Sequence, residues 1–277
     1  MQLEVRNLDL SYDISVINNI SFNLNNNEII TIIGKNGSGK TSLLESLLNI
    51  RGHYSGNIIY NNKDIKKYKN NFFRNIGIIS YNFPFFEEFS LIYNLKYFLA
   101  LDKINYDDKY IKDTLLKFDL LKHINRKISV LSTGLKIRLQ ITYNYLKKPE
   151  ILLMDEPTAF IDPPGISYIE SLISKIKNQN EFCKSAIIAT HNINIIKKAD
   201  NIILIVNGKN KITGNFEEIL NKFKENYIVI SDKYYNLLNN LPYNISGNRI
   251  IINKEDFYKL NPRPKTLEIK EDDIFEE

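Results

Sequence analysis

The sequence predicts an α/β fold built on a parallel sheet, and three observations carry the prediction. Brief apolar runs recur at Ile29 to Ile33, Ile151 to Met154 and Ala186 to Ala189, as expected of strands buried on both faces. The first runs into a Gly-rich turn and then a helix-period stretch with Leu43, Leu44, Leu47 and Leu48 on the pattern. The second ends at once in Asp155 and Glu156, and the third reaches His191 two residues on. A core strand tolerates such groups only where it emerges at its carboxyl edge, which is where open α/β sheets bind ligands.

Bulk composition narrows the classes further. A chain of 277 residues with 43% hydrophobic content has material for one large domain, or for a core domain with a smaller appendage. The stretch "MQLEVRNLDL" lacks a basic segment followed by an apolar one, and the longest obvious apolar run, "IILIV" at 202 to 206, is far short of a membrane span. The expectation is a protein in the cytoplasm, and the single cysteine, Cys183, is read as a structural thiol. A net charge of +5 with lysine scattered among Asn and Ile does not describe a nucleic-acid groove, so no nucleic-acid partner is expected. The most basic and aromatic stretch, "KDIKKYKNNFFR" at 63 to 74, reads as a solvated helix ahead of a strand. His53 and His123 read as surface or packing residues.

The Gly-rich turn has the form of a phosphate-binding loop. Gly34, Gly39, Lys40 and Thr41 satisfy G-x-x-x-x-G-K-[ST], with a strand before and a helix after. The loop itself, Gly34, Lys35, Asn36, Gly37, Ser38 and Gly39, bends backbone N–H groups toward an anion, and Lys40, Thr41 and Ser42 open the helix. Lys40 is placed to neutralise the β- and γ-phosphates of a nucleotide, and the Thr41 hydroxyl to hold Mg²⁺. Asp155, at the end of the second strand, is the companion Mg²⁺ residue, and Glu156 is placed to polarise an attacking water. His191, at the third strand's end, reads either as a γ-phosphate contact or as a residue near the start of the next helix.

The series "GKNGSGKT", "LSTG", "LLMDEPT", "IDP" and "ATH", in that order and spacing, resembles the ATP-binding cassette (ABC) ATPases over about residues 1 to 225. The resemblance implies a P-loop NTPase core with a parallel sheet, an antiparallel β-subdomain and a helical subdomain. It also implies ATP and Mg²⁺, ATP hydrolysis coupled to transport, a second ABC ATPase subunit and an integral membrane permease. It places the chain on the inner face of the cell membrane as a peripheral subunit. Tyr12 matches the aromatic that stacks on adenine, with Val16 beside it, and Asp162 matches the D-loop aspartate. Ser132 and Gly134 match the signature residues that contact the nucleotide held by the opposite subunit. The catalytic group it implies is Glu156, His191 and Lys40.

Two places depart from the family pattern. Counting from Ile76 and Gly77 puts Tyr81, with Asn82 adjacent, where the family has the Q-loop glutamine, which puts the efficiency of hydrolysis in doubt. In the signature, Thr133 replaces a glycine and Leu135 replaces a glutamine. Gly134, where a Cβ would hinder phosphate approach, and the Ser132 hydroxyl are retained.

Organisation follows from the same pass. Residues 1–225 form the expected ATPase domain, with a helical subdomain at about 84–148 that carries the signature helix. The aromatic loop "FPFFEEF" suits either a permease groove or plain core packing. Residues 226–277 read as a small α+β extension, and the "DPPG" run and "KTLEIKEDDIF" resemble the family's exporter branch. Two alternatives stay open: an ABC ATPase that serves no permease, and a regulatory cassette with weak turnover.

Overall fold

The computed structural model describes residues 2–11, 15–48, 54–67, 69–179, 182–238, 242–246 and 248–269. Fourteen strands run in chain order through them. These are β1 (Leu3–Ser11), β2 (Ser15–Leu24), β3 (Ile29–Ile33), β4 (Tyr54–Tyr60), β5 (Lys63–Asp64), β6 (Ile76–Ser80), β7 (Ile151–Asp155) and β8 (Ser185–Ala189). They continue with β9 (Asn201–Val206), β10 (Lys209–Gly214), β11 (Tyr227–Ser231), β12 (Tyr243–Ser246), β13 (Arg249–Asn253) and β14 (Thr266–Leu267). The α-helices are α1 (Lys40–Leu47), α2 (Lys69–Arg74), α3 (Leu91–Leu101), α4 (Asp108–Lys117), α5 (Thr133–Lys147), α6 (Pro163–Gln179), α7 (Ile193–Ile196), α8 (Phe216–Asn226) and α9 (Lys254–Phe257).

Ten strands join in one sheet of order β5-β4-β1-β2-β10-β9-β3-β8-β7-β6. From β9 to β6 every neighbouring pair is parallel, and β5, β4, β1 and β2 pair antiparallel. The two parts meet through β10, a hairpin partner of β9 with a single parallel pairing onto β2. Apolar runs fill the parallel strands because both faces are covered. Ile29 and Ile33 of β3 pack into one core with the helical segment, whereas Ile30 and Ile32 pack into the other with α1 and the antiparallel strands. Leu152 and Met154 divide from Ile151 and Leu153 in the same way. Each such side chain contributes about 1.5–3 kcal/mol by leaving water, so a charge inside these strands has nowhere to go except their ends.

Helices α3, α4 and α5 lie between β6 and β7 in sequence and close over one face. Ser90 caps α3 and Asp107 caps α4, each side chain accepting from a backbone N–H one turn in. Gly77 lets α5 approach β6, since a Cβ there would overlap the Asn144 side-chain oxygen and reach 2.7 Å from Pro149. A second sheet of order β12-β13-β11-β14 follows α8 and has its own small core of Ile230, Ile250, Ile252, Phe257 and neighbours. Val229 and Ile251, on its other face, belong to the main core.

One local expectation changes. The 63–74 stretch is not one solvated helix: β5 pairs with β4, the helix covers only Lys69–Arg74, and Ile65 and Phe72 are buried. Lys63, Lys66, Lys67 and Arg74 are exposed, while these two apolar anchors fix the segment's inner side. Cys183 is 3% exposed, and burial pushes its thiol pKa well above the usual range. A thiol-specific maleimide is therefore expected to leave Cys183 unlabelled in the native protein and to label it in step with urea unfolding; rapid native labelling would contradict this packing.

Candidate functional site

The site assembles where β3, β6, β7 and β8 end. Gly37 and Gly39 take φ of 80° and 107°, a left-handed backbone that other residues adopt only at a cost. At Gly39 a side chain is also excluded by space, its Cβ falling 2.9 Å from the Val16 carbonyl. Gly39 starts α1 without any side-chain cap, so the helix's first N–H groups stay directed into the loop, as an anion requires.

Lys40 closes the loop from inside. It is 7% exposed, and its Nζ donates to the carbonyls of Gly34 at 2.6 Å and Lys35 at 3.3 Å. His191 Nε2 lies 3.0 Å from the same ammonium. An ammonium only donates, so Nε2 acts as the acceptor and the ring carries its proton on Nδ1. Burial lowers the Lys40 pKa, and the charges of Glu156 and Asp155 oppose that shift.

The carboxylates stand opposite. In register, Asp155 pairs with Ser80 on one side and Ala189 on the other, so it is the last residue of the sheet's core at that edge. Thr41 Oγ1 donates to Asp155 Oδ2 at 2.9 Å. Glu156 turns away from the strand with φ of 44°, held by its N–H to the Ala189 carbonyl at 2.9 Å. A non-glycine residue in that region stores strain, of the order of 1–3 kcal/mol, which aims the carboxylate off the strand axis. Glu156 Oε1 approaches His191 Nε2 to 3.4 Å. Burial raises both carboxyl pKa values, and Lys40 pulls each back down.

Asp155 Oδ1 and Ser38 Oγ are buried with no hydrogen-bond partner among the described residues. With an uncapped helix start, a buried ammonium and a hydroxyl–carboxylate pair, these orphans fit a Mg²⁺-bound nucleoside triphosphate. Thr41 and Asp155 would hold the metal. The glycine backbone, Lys35, Asn36, Ser38 and Ser42 would lie along the phosphates.

A cavity of about 700 Å³ brings Asn36, Thr41, Asp155, Glu156 and His191 together with Tyr81 and Asn82. Tyr81 follows β6 directly, level with Glu156 after β7. Its ring is 60% exposed and 5.4 Å from that of Phe160, which is 82% exposed and has φ of 59°. Neither the Phe160 contact nor its strained backbone has a signal in the sequence. The cavity does not include Ser132, Gly134 or Asp162. Ser132 caps α5, accepting from the Leu135 N–H at 3.4 Å, and Gly134 lies against Asp162, whose Oδ1 is 3.8 Å from its Cβ position. Leu135 packs on the main core, so the apolar replacement is accommodated. Tyr12 and His53 lie outside the described residues, while Val16 packs beside the loop. One contact had no sequence cue: Lys35 Nζ donates to Asn244 Oδ1 of β12 at 3.3 Å, joining the second sheet's edge to the loop.

Comparisons with known proteins agree with this geometry. The family described as "ABC transporter" matches residues 17–159, just over half of the chain. The lipoprotein-releasing system ATP-binding protein LolD of Buchnera aphidicola is 32% identical over 208 residues, covering 73% of this chain and 90% of that protein. A probable ABC transporter ATP-binding protein, p29, of Mesomycoplasma hyorhinis is 29% identical, covering 74% and 87%. Among solved structures, cbiO1 of Clostridium perfringens, described as part of the ABC transporter complex cbiONQ, superposes with a TM-score of 0.66 at 27% identity, covering 80% of this chain and 93% of that one. The chain belongs to the ABC transporter family, as one of its ATP-binding, ATP-hydrolysing subunits.

Replacing Lys40 by Ala is expected to weaken MgATP binding at least about tenfold, because a charge-assisted contact to phosphate is worth 1.4 kcal/mol or more. Equilibrium titration with a fluorescent ATP analogue reads it. The acid limb of kcat/KM reports the free enzyme. Since burial raises the Glu156 carboxyl, it protonates earlier as pH falls, so the limb should lie above the ordinary Glu value of about 4.3. A limb at or below that value would show that Glu156 is not the base.

Proposed function

We propose that this chain works head-to-tail with a second cassette, each holding ATP on its own loop and covering the other's with Ser132 and Gly134. The observation that supports this is the separation within one chain: the cavity at Thr41, Asp155 and Glu156 includes neither signature residue. A second cassette supplies the missing wall, and Phe160, two residues before Asp162, is 82% exposed.

In this reading Lys40 and the loop N–H groups hold the β- and γ-phosphates, and His191 orients toward the γ-phosphate. Glu156 accepts the proton of an attacking water, its φ directing the carboxylate past the end of β7. Bound Mg²⁺ supplies charge stabilisation to the transferring phosphoryl group. Tyr12 stacks on adenine, and Asp162 meets the partner. Closure on ATP and opening after hydrolysis provide the mechanical step.

The work is delivered to a separate integral membrane permease, with the chain held as a peripheral subunit on the inner face of the membrane. No helix among the described residues is long and apolar enough to cross a membrane. Its docking side is read as the aromatic face of α3 and the loop before it, where Phe89, Tyr93 and Tyr97 stack in succession and remain partly exposed. The "DPPG" run and the extension after α8 favour an exporter-type machine. A regulatory cassette with weak turnover is the second reading, favoured by Tyr81 at the Q-loop position.

Glu156→Gln is expected to lower kcat by about 10²-fold or more and to give an ATP-dependent dimer in sedimentation velocity. Turnover of the unaltered protein no higher than that of this variant would favour the regulatory reading. Restoring the amide by Tyr81→Gln should raise kcat severalfold if the tyrosine limits hydrolysis; an unchanged kcat would clear Tyr81 of that role.

A further inference from the structure

The strand that leads to Tyr81 is the outermost of the large sheet, and its open side is occupied by a helix. Among the described residues β6 has no strand neighbour other than β7. On that side Gln140 of α5 accepts from the Ser80 N–H at 2.8 Å and donates Nε2 to the Ser80 carbonyl at 2.9 Å. One helical turn later Asn144 donates to the Ile78 carbonyl at 2.9 Å and to the Gln140 carbonyl at 2.8 Å. Residues 80 and 78 on the strand are thus read by residues 140 and 144 on the helix. The Gln140 amide does what a paired strand residue would do, giving and taking one bond. Both side chains are almost fully buried, Gln140 at 1% exposed, so each bond is made in a setting where its loss leaves an unsatisfied backbone group.

The position of this clamp in the chain gives it a function beyond packing. Helix α5 begins at Ser132 and Gly134, and Gln140 lies about 12 Å further along its axis at 1.5 Å per residue. At the other end of the contact, Ser80 immediately precedes Tyr81, which lines the cavity with Asp155 and Glu156. We propose that Gln140 is a positioning residue that ties the signature loop to the cavity wall at Tyr81. In the paired cassette proposed above, on which this inference rests, the signature loop touches the nucleotide of the other subunit. A load on Ser132 and Gly134 then passes along a rigid helix to the Ser80 peptide and so to the wall beside this subunit's own carboxylates. Gln140 links the two ATP sites.

Gln140→Met keeps the volume and removes both bonds to Ser80. In the full-length chain it is expected to lower kcat about tenfold while leaving the single-site affinity for ATP within about twofold, since transition-state and ground-state interactions separate in this way. Ile141→Val, one residue on and equally buried but without a bond to β6, is the control for plain destabilisation. A Gln140→Met kcat within twofold of the unaltered protein, or a loss matched by Ile141→Val at equal melting temperature, would overturn the inference. In the Glu156→Gln background, ATP should still close the dimer, and adding Gln140→Met should raise the ATP concentration required about tenfold. Dimer formation at the same ATP concentration with and without Gln140→Met would sink the clamp while leaving the paired cassette intact. If Glu156→Gln alone forms no dimer, the paired reading falls and the inference falls with it.

Discussion

One buried ammonium organises the site. Lys40 is withdrawn from water, held by two carbonyls of its own loop, and faced by two carboxylates whose pKa values burial raises. Remove that charge and the loop loses its internal closure, while Asp155 and Glu156 lose an attraction that favours their charged forms. The arrangement is a set of costs that cancel only together: a desolvated cation, two half-buried anions and an uncapped helix start. A polyanion bearing a metal relieves several of them at once, which is why this edge binds rather than merely packs.

The sheet makes such a cluster possible. Parallel strands present all their carboxyl ends on one side, and full burial of their faces forbids charge anywhere earlier along them. β3 delivers the loop, β7 the carboxylates, β8 the histidine and β6 the tyrosine, each within a residue or two of the end of its strand. What lies beyond the edge is built by different means. The signature residues sit on a helix start, and the extension meets the loop where Asn244 of β12 accepts from Lys35.

The legible parts were those encoded by neighbours in sequence. The strand–loop–helix pattern at 29–48, the carboxylates after Met154 and the short strand before His191 each carry their meaning within about ten residues, because strand burial and helix periodicity are local rules. Ser132 was recognisable as the start of a helix for the same reason. The illegible parts depend on which elements become neighbours. That Gln140 and Asn144 face a strand edge follows only once α5 is known to lie along β6; in sequence they look like ordinary polar positions four apart. The Tyr81–Phe160 contact joins two loops, and Lys35 meets a residue more than two hundred positions away. The helix expected over 63–74 failed because Ile65 and Phe72 answer to the core rather than to the charge around them.

The strand order also bears on how the chain is made. Among the described residues β3 hydrogen-bonds to β8 and β9 and to no earlier strand, so the strand partners of Ile29–Ile33 come only with residues 185–206. During synthesis at roughly 5–20 residues per second, that apolar five-residue segment waits about ten seconds or more for its pairing partners. Contacts of such long sequence separation are slow to close, and an unpaired run of four isoleucines around one threonine is a template for association with another chain. The nascent protein therefore carries its phosphate loop on its least protected strand, which makes the first motif to be translated among the last to become a site.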